Sequence, residues 1–274
     1  MNLITDLDRK VLDFLPENLA HLLHLDQPIE TWKKSSLEVL DLDPTNAPPD
    51  CFISGWFQDG RWNSQVFLGI PLSTLMSGNL GPDHVPSGTV GVVLSAEPFR
   101  DSLHSALVNE LLVAQKHQGF VTMWLDSISG RPTALSLTLP GTSIYNVLEG
   151  VRGSVMDWGV SSLQSTLLQS WTSSILLSRS PFPYELLGER VEVSGIFENV
   201  ERHFFHKLQV VEGCAVTDST ILGIASCWGR TPVEANNRAV STCRNVKVGS
   251  PQFRTDGEYH SRRIVGNLRA HGYL

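Results

Sequence analysis

Two stretches of the chain have residue types and spacing that could carry chemistry. The first is Leu135-Ser136-Leu137-Thr138-Leu139-Pro140-Gly141-Thr142-Ser143, a strand that breaks into a corner before a helix. Corners of this kind are common places for a metal ligand or a phosphate, because the N–H groups opening a helix have no partner within it. Yet one whole face of this strand is leucine. The second stretch is the glycine loop Met76-Ser77-Gly78-Asn79-Leu80-Gly81-Pro82, followed by Gly88 and Gly91. Glycines let backbone N–H groups approach a ligand closely. Gly78, Gly81, Pro82, Gly88, Gly91, Gly141, Thr142 and Ser143 are therefore the candidate ligand-loop residues. The plainer account of the first five is a long surface loop whose glycines only satisfy turns.

Other chemistries fail on spacing. His203 and His206, in His-Phe-Phe-His, would face opposite sides of a strand, and no carboxylate or cysteine completes a metal shell. There is no G-x-S-x-G elbow, no Walker A loop and no G-x-G-x-x-G fingerprint. No catalytic residue and no metal ligand is assigned.

The elements that would position these stretches can be read from patterning. Residues 4–24 carry leucines near helical spacing, broken at Pro16, and 27–50 read as linker and loop. Cys51–Phe57 and Trp62–Ile70 flank Asp59-Gly60, a strong hairpin signal. The stretch 77–91 reads as a glycine- and proline-rich loop before an apolar strand. Residues 98–118 read as a helix capped by Gly119, and 120–139 as a hairpin turning near Gly130. A helix follows from Ile144, and a Ser/Gln-rich helix is expected over 160–173. Closely spaced strands come next, and Thr231-Pro232-Val233-Glu234 is a capping box with proline at the first helical position. The expected organisation is an N-terminal helical segment and linker (1–49), an α/β unit (50–160) and a C-terminal antiparallel α+β unit (161–274). The fold class is α/β (α+β).

Composition limits the partners. The 274 residues are 41% hydrophobic and 18% charged, an ordinary globular balance. The net charge of −7 argues against nucleic acid or an anionic membrane as the main partner. Arg262, Arg263 and Arg269 form the best basic patch and read as a solvated helix face. The start of the chain lacks a basic segment followed by an apolar run, no stretch approaches transmembrane length, and Cys51, Cys214, Cys227 and Cys243 form no CxxC pair. A cytoplasmic protein with reduced thiols is expected.

Taken in order, these features resemble the ATP-grasp ligases, and within them the phosphoribosylamine–glycine ligases, over roughly residues 50–274. That family's glycine loop reads G-D-x-G-P-N-T-G-x-M-G. This chain has Gly78-Asn79-Leu80-Gly81-Pro82-Asp83, with Gly88 and Gly91 after a few inserted residues. The family's C-terminal signatures are matched by Phe205-His206, Leu222-Gly223-Ile224, Gly229 through Ala235 and Phe253-Arg254-Thr255-Asp256.

The resemblance also explains why the leucine face is unexpected. In the family, the strand before a G-D-P-E turn carries E-x-N-x-R, whose Glu and Asn hold the magnesium ions that bridge the ATP phosphates. Aligning Gly141 with that turn puts Leu135, Leu137 and Leu139 at Glu, Asn and Arg. Leu135 and Leu137 are thus the lost metal-ligand positions. No carboxylate occurs between Asp126 and Glu149 in any register. The ligase's N-terminal domain and much of the part that clamps ATP have no room in residues 1–49.

The resemblance implies a degenerate ligase without a cofactor, acting through a protein partner or self-association, with Trp56, Trp62, Trp124, Trp158, Trp171 and Trp228 available as anchors. The extent of the reduction points to a viral or otherwise fast-evolving source, placing the protein in the host cytoplasm. Two rivals stay open. One is a ligase using ATP and Mg, completed by a partner chain or using Asp126, Glu149 or Asp83. The other is a binder of a phosphorylated or amino-acid-like small molecule at Gly78–Gly91 and Gly141–Ser143.

Overall fold

A computed structural model describes residues 40–41, 50–58, 60–99, 119–136, 142–150, 170–195, 203–205 and 208–274. The helices expected over 4–24 and 98–118 lie outside these residues, apart from a short 3-10 turn at Glu97–Phe99. Leu137, Leu139, Gly141, Trp158 and His206 also lie outside them.

The core is one antiparallel sheet. Its strands are β1 (Leu40–Asp41), β2 (Cys51–Gln58), β3 (Arg61–Met76), β4 (Leu80–Ser95), β5 (Gly119–Asp126), β6 (Arg131–Ser136), β7 (Trp171–Arg179), β9 (His203–Phe205) and β12 (Ile221–Gly229). They lie in the order β1-β6-β5-β2-β3-β4-β7-β12-β9, and β13 (Pro251–Gln252) pairs with β7. A second sheet has the order β10-β11-β8, from β8 (Leu187–Val193), β10 (Gln209–Val211) and β11 (Cys214–Ser219). The helices are α1 (Ser143–Gly150), α2 (Pro232–Asn245) and α3 (Gly257–Ala270).

Both faces of the large sheet are covered, so its central strands β2, β7 and β12 are largely buried; all nine residues of β7 are buried, among them the polar Thr172, Ser173, Ser174, Ser178 and Arg179. One face packs Phe52, Phe67, Val93, Phe120, Leu176 and Ile224 against Tyr145 and Val147 of α1. The opposite face packs Ile53, Leu68, Val90, Val121 and Met123 against Ile264, Val265 and Leu268 of α3. Beside these, Ile175, Leu177 and Ala225 meet Ala239, Val240 and Cys243 of α2.

Two hairpins and one helix start follow the local sequence. Gly60 and Gly130 take the positive φ that their turns require, at 76° and 68°. Thr231 caps α2 by accepting from the Glu234 N–H at 3.1 Å, and the Glu234 carboxylate returns to the Arg230 N–H at 2.8 Å. Two expectations are corrected. Trp171–Ser173, read as the end of a helix, open β7 instead, because they pair with Gly229–Cys227 on one side and Val92–Val90 on the other. The stretch 77–91, read as a loop, is the tip of a long hairpin followed by most of β4.

Packing explains the glycines within that hairpin. Gly69 and Gly91 face each other across β3 and β4. The Phe52 ring lies over Gly69 and the Phe67 ring over Gly91, each where a Cβ would go. A Cβ at Gly91 would also come within 2.6 Å of the Leu68 carbonyl oxygen. Gly91→Ala is therefore expected to cost about 2 kcal/mol through overpacking, read as a lowered denaturation midpoint with an unchanged m-value.

β4, in the expected 50–160 unit, and β7, in the expected 161–274 unit, pair as neighbours in one sheet. Arg179, at the end of β7, ties the second sheet to the first. Its Nε donates to the Ser219 carbonyl at 3.1 Å and its Nη2 to the Glu189 carbonyl at 2.6 Å.

Candidate functional site

The candidate ligand residues fall into two clusters. At the first, α1 starts directly over β4 and β7. Thr142 and Ser143 are buried, and the Thr142 hydroxyl meets that of Thr89 at 2.9 Å. The Asn146 side-chain amide donates to the Thr89 carbonyl at 3.0 Å and to the Thr172 hydroxyl at 3.2 Å. Thr172 in turn donates to the Gly91 carbonyl at 3.2 Å, and Ser174 to the Thr142 carbonyl at 3.1 Å. Thr142 and Ser143 thus join the Gly88–Gly91 part of β4 through a seam of hydroxyls. Gly88 itself sits against the Ser174 carbonyl, 2.7 Å from where its Cβ would be. These named seam residues are neutral and hydrogen-bonded to one another. They can fix geometry, but they offer no acid or base for proton transfer at neutral pH.

The second cluster is at the far end of the hairpin. Gly78 and Asn79 take positive φ, 74° and 56°, which glycine and asparagine tolerate best. Their turn is held by the segment that opens α3. Arg254 is 1% exposed and grips Asp256 with two hydrogen bonds of 2.9 Å, Nε to Oδ1 and Nη2 to Oδ2. The same guanidinium reaches Thr74 Oγ1 at 2.8 Å and Asn79 Oδ1 at 3.0 Å. Asp256 Oδ2 accepts the Gly78 N–H at 2.7 Å, and Ser77 Oγ accepts the Thr255 N–H at 3.0 Å. The Gly78 N–H, one of the donors of the candidate ligand loop, is therefore already taken by a carboxylate of the same chain. Gly81 lies on the start of β4 beside Met76, and Pro82 follows it in that strand.

This cluster has a pH signature. Burial works against the Asp256 charge, but the hydrogen bonds from Arg254 and Gly78 outweigh it and hold the carboxyl below its ordinary 3.8. A depressed folded value means that the stabilisation is fully present above 3.8 and is lost as pH falls through the folded value. Asp256→Asn should therefore be less stable at neutral pH and show a shallower loss of stability in acid. Denaturation midpoints measured across the acid range check both. Beside it, burial and the Arg254 and Arg263 cations push the His260 pKa down.

The described residues do not fit a magnesium site at the leucine strand. Leu135 is 4% exposed, pairs with Met123 and Leu40 across the sheet, and belongs to the apolar cluster under α3. Asp126 is committed to its own turn, accepting the Ile128 and Ser129 N–H groups and the Ser129 hydroxyl at 2.7 Å. Glu149 lies in the last turn of α1, and Asp83 pairs in register with Thr74. Among the described residues, no three His, Cys, Asp or Glu side chains converge as a metal-binding group. No helix among them is long and apolar enough to cross a membrane.

No protein family and no curated protein matches the sequence. Solved structures do. Phosphoribosylamine–glycine ligase from Thermotoga maritima superimposes with a TM-score of 0.56 at 18% identity, covering 77% of this chain and 56% of that one. The fold is ATP-grasp. It is a partial one, since the chain spans little more than half of that ligase's length. Phosphoribosylglycinamide synthetase from Anaerococcus prevotii has a TM-score of 0.47 at 11% identity, with 74% and 53% of the two chains covered. L-amino acid ligase from Bacillus licheniformis has a TM-score of 0.43 at 15% identity, with 72% and 53% covered.

In the sequence, Arg254 and Asp256 stand out only as part of the family signature, and no local motif marks Thr74, Thr89 or Asn146. The signal for the seam was Thr172-Ser173-Ser174 at the start of a strand buried on both faces. Hydroxyls in such a strand need partners from another layer.

Proposed function

We propose that this ATP-grasp chain is a catalytically inactive relative of the carboxylate–amine ligases that acts by binding, with a protein partner or a second copy of itself, and without magnesium. The observation that carries this reading is Leu135, which is buried in hydrocarbon where the resemblance puts a metal-binding glutamate. A hard dication needs oxygen ligands, and a packed leucine supplies none. The occupied Gly78 N–H adds to it, because the glycine turn is bound by its own chain. A cytoplasmic setting, that of a host cell if the source is viral, belongs to the same proposal.

One observation favours a second reading. The chain covers only 56% of the Thermotoga ligase, so a partner chain supplying the rest would make an ATP-dependent ligase of the pair. A third reading, binding of a phosphorylated small molecule, draws on the hydroxyl seam that links Thr142 and Ser143 to Gly91.

Calorimetric titration with Mg·ATP, with ADP and with ATP lacking magnesium separates the three. No heat at millimolar nucleotide is the expected result. Magnesium-dependent binding would overturn the proposal and favour the ligase. Magnesium-independent binding of nucleotide or inorganic phosphate would favour the third reading.

A further inference from the structure

Among the described residues, Ser173 Oγ and both amide atoms of Asn236 are buried side-chain atoms without a hydrogen-bond partner. Both residues are fully buried, at 0% exposure. They belong to facing elements, for α2 packs on β7. Trp171 shares an apolar cluster with Ala235, and Ile175 shares one with Ala239. Ser173 lies between Trp171 and Ile175 on the same face of the strand. It therefore lies on the face of β7 that packs on α2, the helix that carries Asn236.

The other side of Asn236 is closed by the start of α3. A Cβ on Gly257 would come within 2.5 Å of Asn236 Oδ1 and 3.0 Å of Leu72 Cδ1. The amide oxygen thus occupies the space that a side chain at position 257 would need. The amide nitrogen and the serine hydroxyl have no hydrogen-bond partner. Left dry, each costs about 1–3 kcal/mol, a large share of the marginal stability of a folded domain.

The two groups are chemically complementary to one small neutral molecule that both accepts and donates. Asn236 Nδ2 can only donate, whereas Ser173 Oγ can do either. A cation would face the donor nitrogen, and an anion would enter an apolar layer without a counter-charge. We propose that Ser173 and Asn236 form an internal site for one ordered water, which accepts from Asn236 Nδ2 and donates to Ser173 Oγ. The water joins α2 to β7 directly behind Gly257, one residue from the Asp256 carboxylate that holds the glycine turn.

A high-resolution crystal structure of the chain tests the site directly. The expected result is an ordered water about 2.7–3.2 Å from both Asn236 Nδ2 and Ser173 Oγ. Clear side-chain density without that water, or with Asn236 turned to a protein partner, overturns the proposal. Urea denaturation of Ser173→Ala, Asn236→Ala and the double variant gives a second reading. A shared water makes the midpoint shifts non-additive, so that the double variant loses less than the sum of the singles. Strictly additive shifts count against it. Should Asn236→Ala fail to fold, the crystal structure of the unaltered chain decides.

Discussion

Leu135→Glu is expected to lower stability by about 5 kcal/mol at neutral pH and to create no magnesium site. Removing a buried leucine loses about 2 kcal/mol of apolar burial. The incoming carboxylate would sit at a position that is 4% exposed, where it avoids charge only by staying protonated. Holding a glutamic acid neutral at pH 7, against an ordinary value of about 4.3, costs about 3–4 kcal/mol. The folded pKa is raised in this variant, so the penalty grows as pH rises above the ordinary value and shrinks as pH falls toward it. Urea denaturation with and without magnesium, at several pH values, reads the whole effect. A variant rescued by magnesium would show that this face is a metal site whose ligand had been deleted, and the binding-only reading would fall.

The second large effect is expected at Arg254. Arg254→Met should cost about 3 kcal/mol, because it removes five hydrogen bonds, to Asp256, Thr74 and Asn79, in one step and leaves the Asp256 charge without its cation. Arg254→Lys should recover only a minor part, since an ammonium cannot span both carboxylate oxygens with a planar fork. The loss should be local before it is global. The Gly78 amide, bonded to Asp256 at 2.7 Å, is expected to exchange with solvent faster in Arg254→Lys, while amides of β7 keep their protection. Equal acceleration at both places would mean that Arg254 supports the whole sheet rather than the glycine turn.

The local features of the fold were legible in the sequence where a single residue decides the backbone. Gly60 and Gly130 mark turns that only positive φ can close, and Thr231 with Glu234 marks a helix start. The glycines at 88 and 91 were misleading for a physical reason. Read locally they mean a loop, but the structure uses Gly91 to make room for a phenyl ring contributed by Phe67 of the neighbouring strand, a fact that no local window contains. The join between β4 and β7 was likewise hidden, because strand pairing between distant segments leaves no periodicity behind. At the candidate site, Leu135 was legible as an apolar position and is buried. The hold of Arg254 and Asp256 on the glycine turn was not, because its partners, Thr74, Gly78 and Asn79, lie 175 to 180 residues earlier in the chain.

The way the sheet is threaded carries a consequence for how it assembles. β2, β3 and β4 are neighbours both in sequence and in the sheet, and β5 and β6 form a second such pair. Each of these can zip from its own turn, with little loop entropy to overcome. The seams between β2 and β5 and between β4 and β7 join strands that are far apart in the chain, so they close late and slowly. Until β7 arrives, the β4 edge with Val90 and Val92 stands open, a template for any other extended chain. Crowded or slow folding therefore exposes this protein at one particular edge, and substitutions that hasten the docking of β7 should raise soluble yield more than those that strengthen the hairpins.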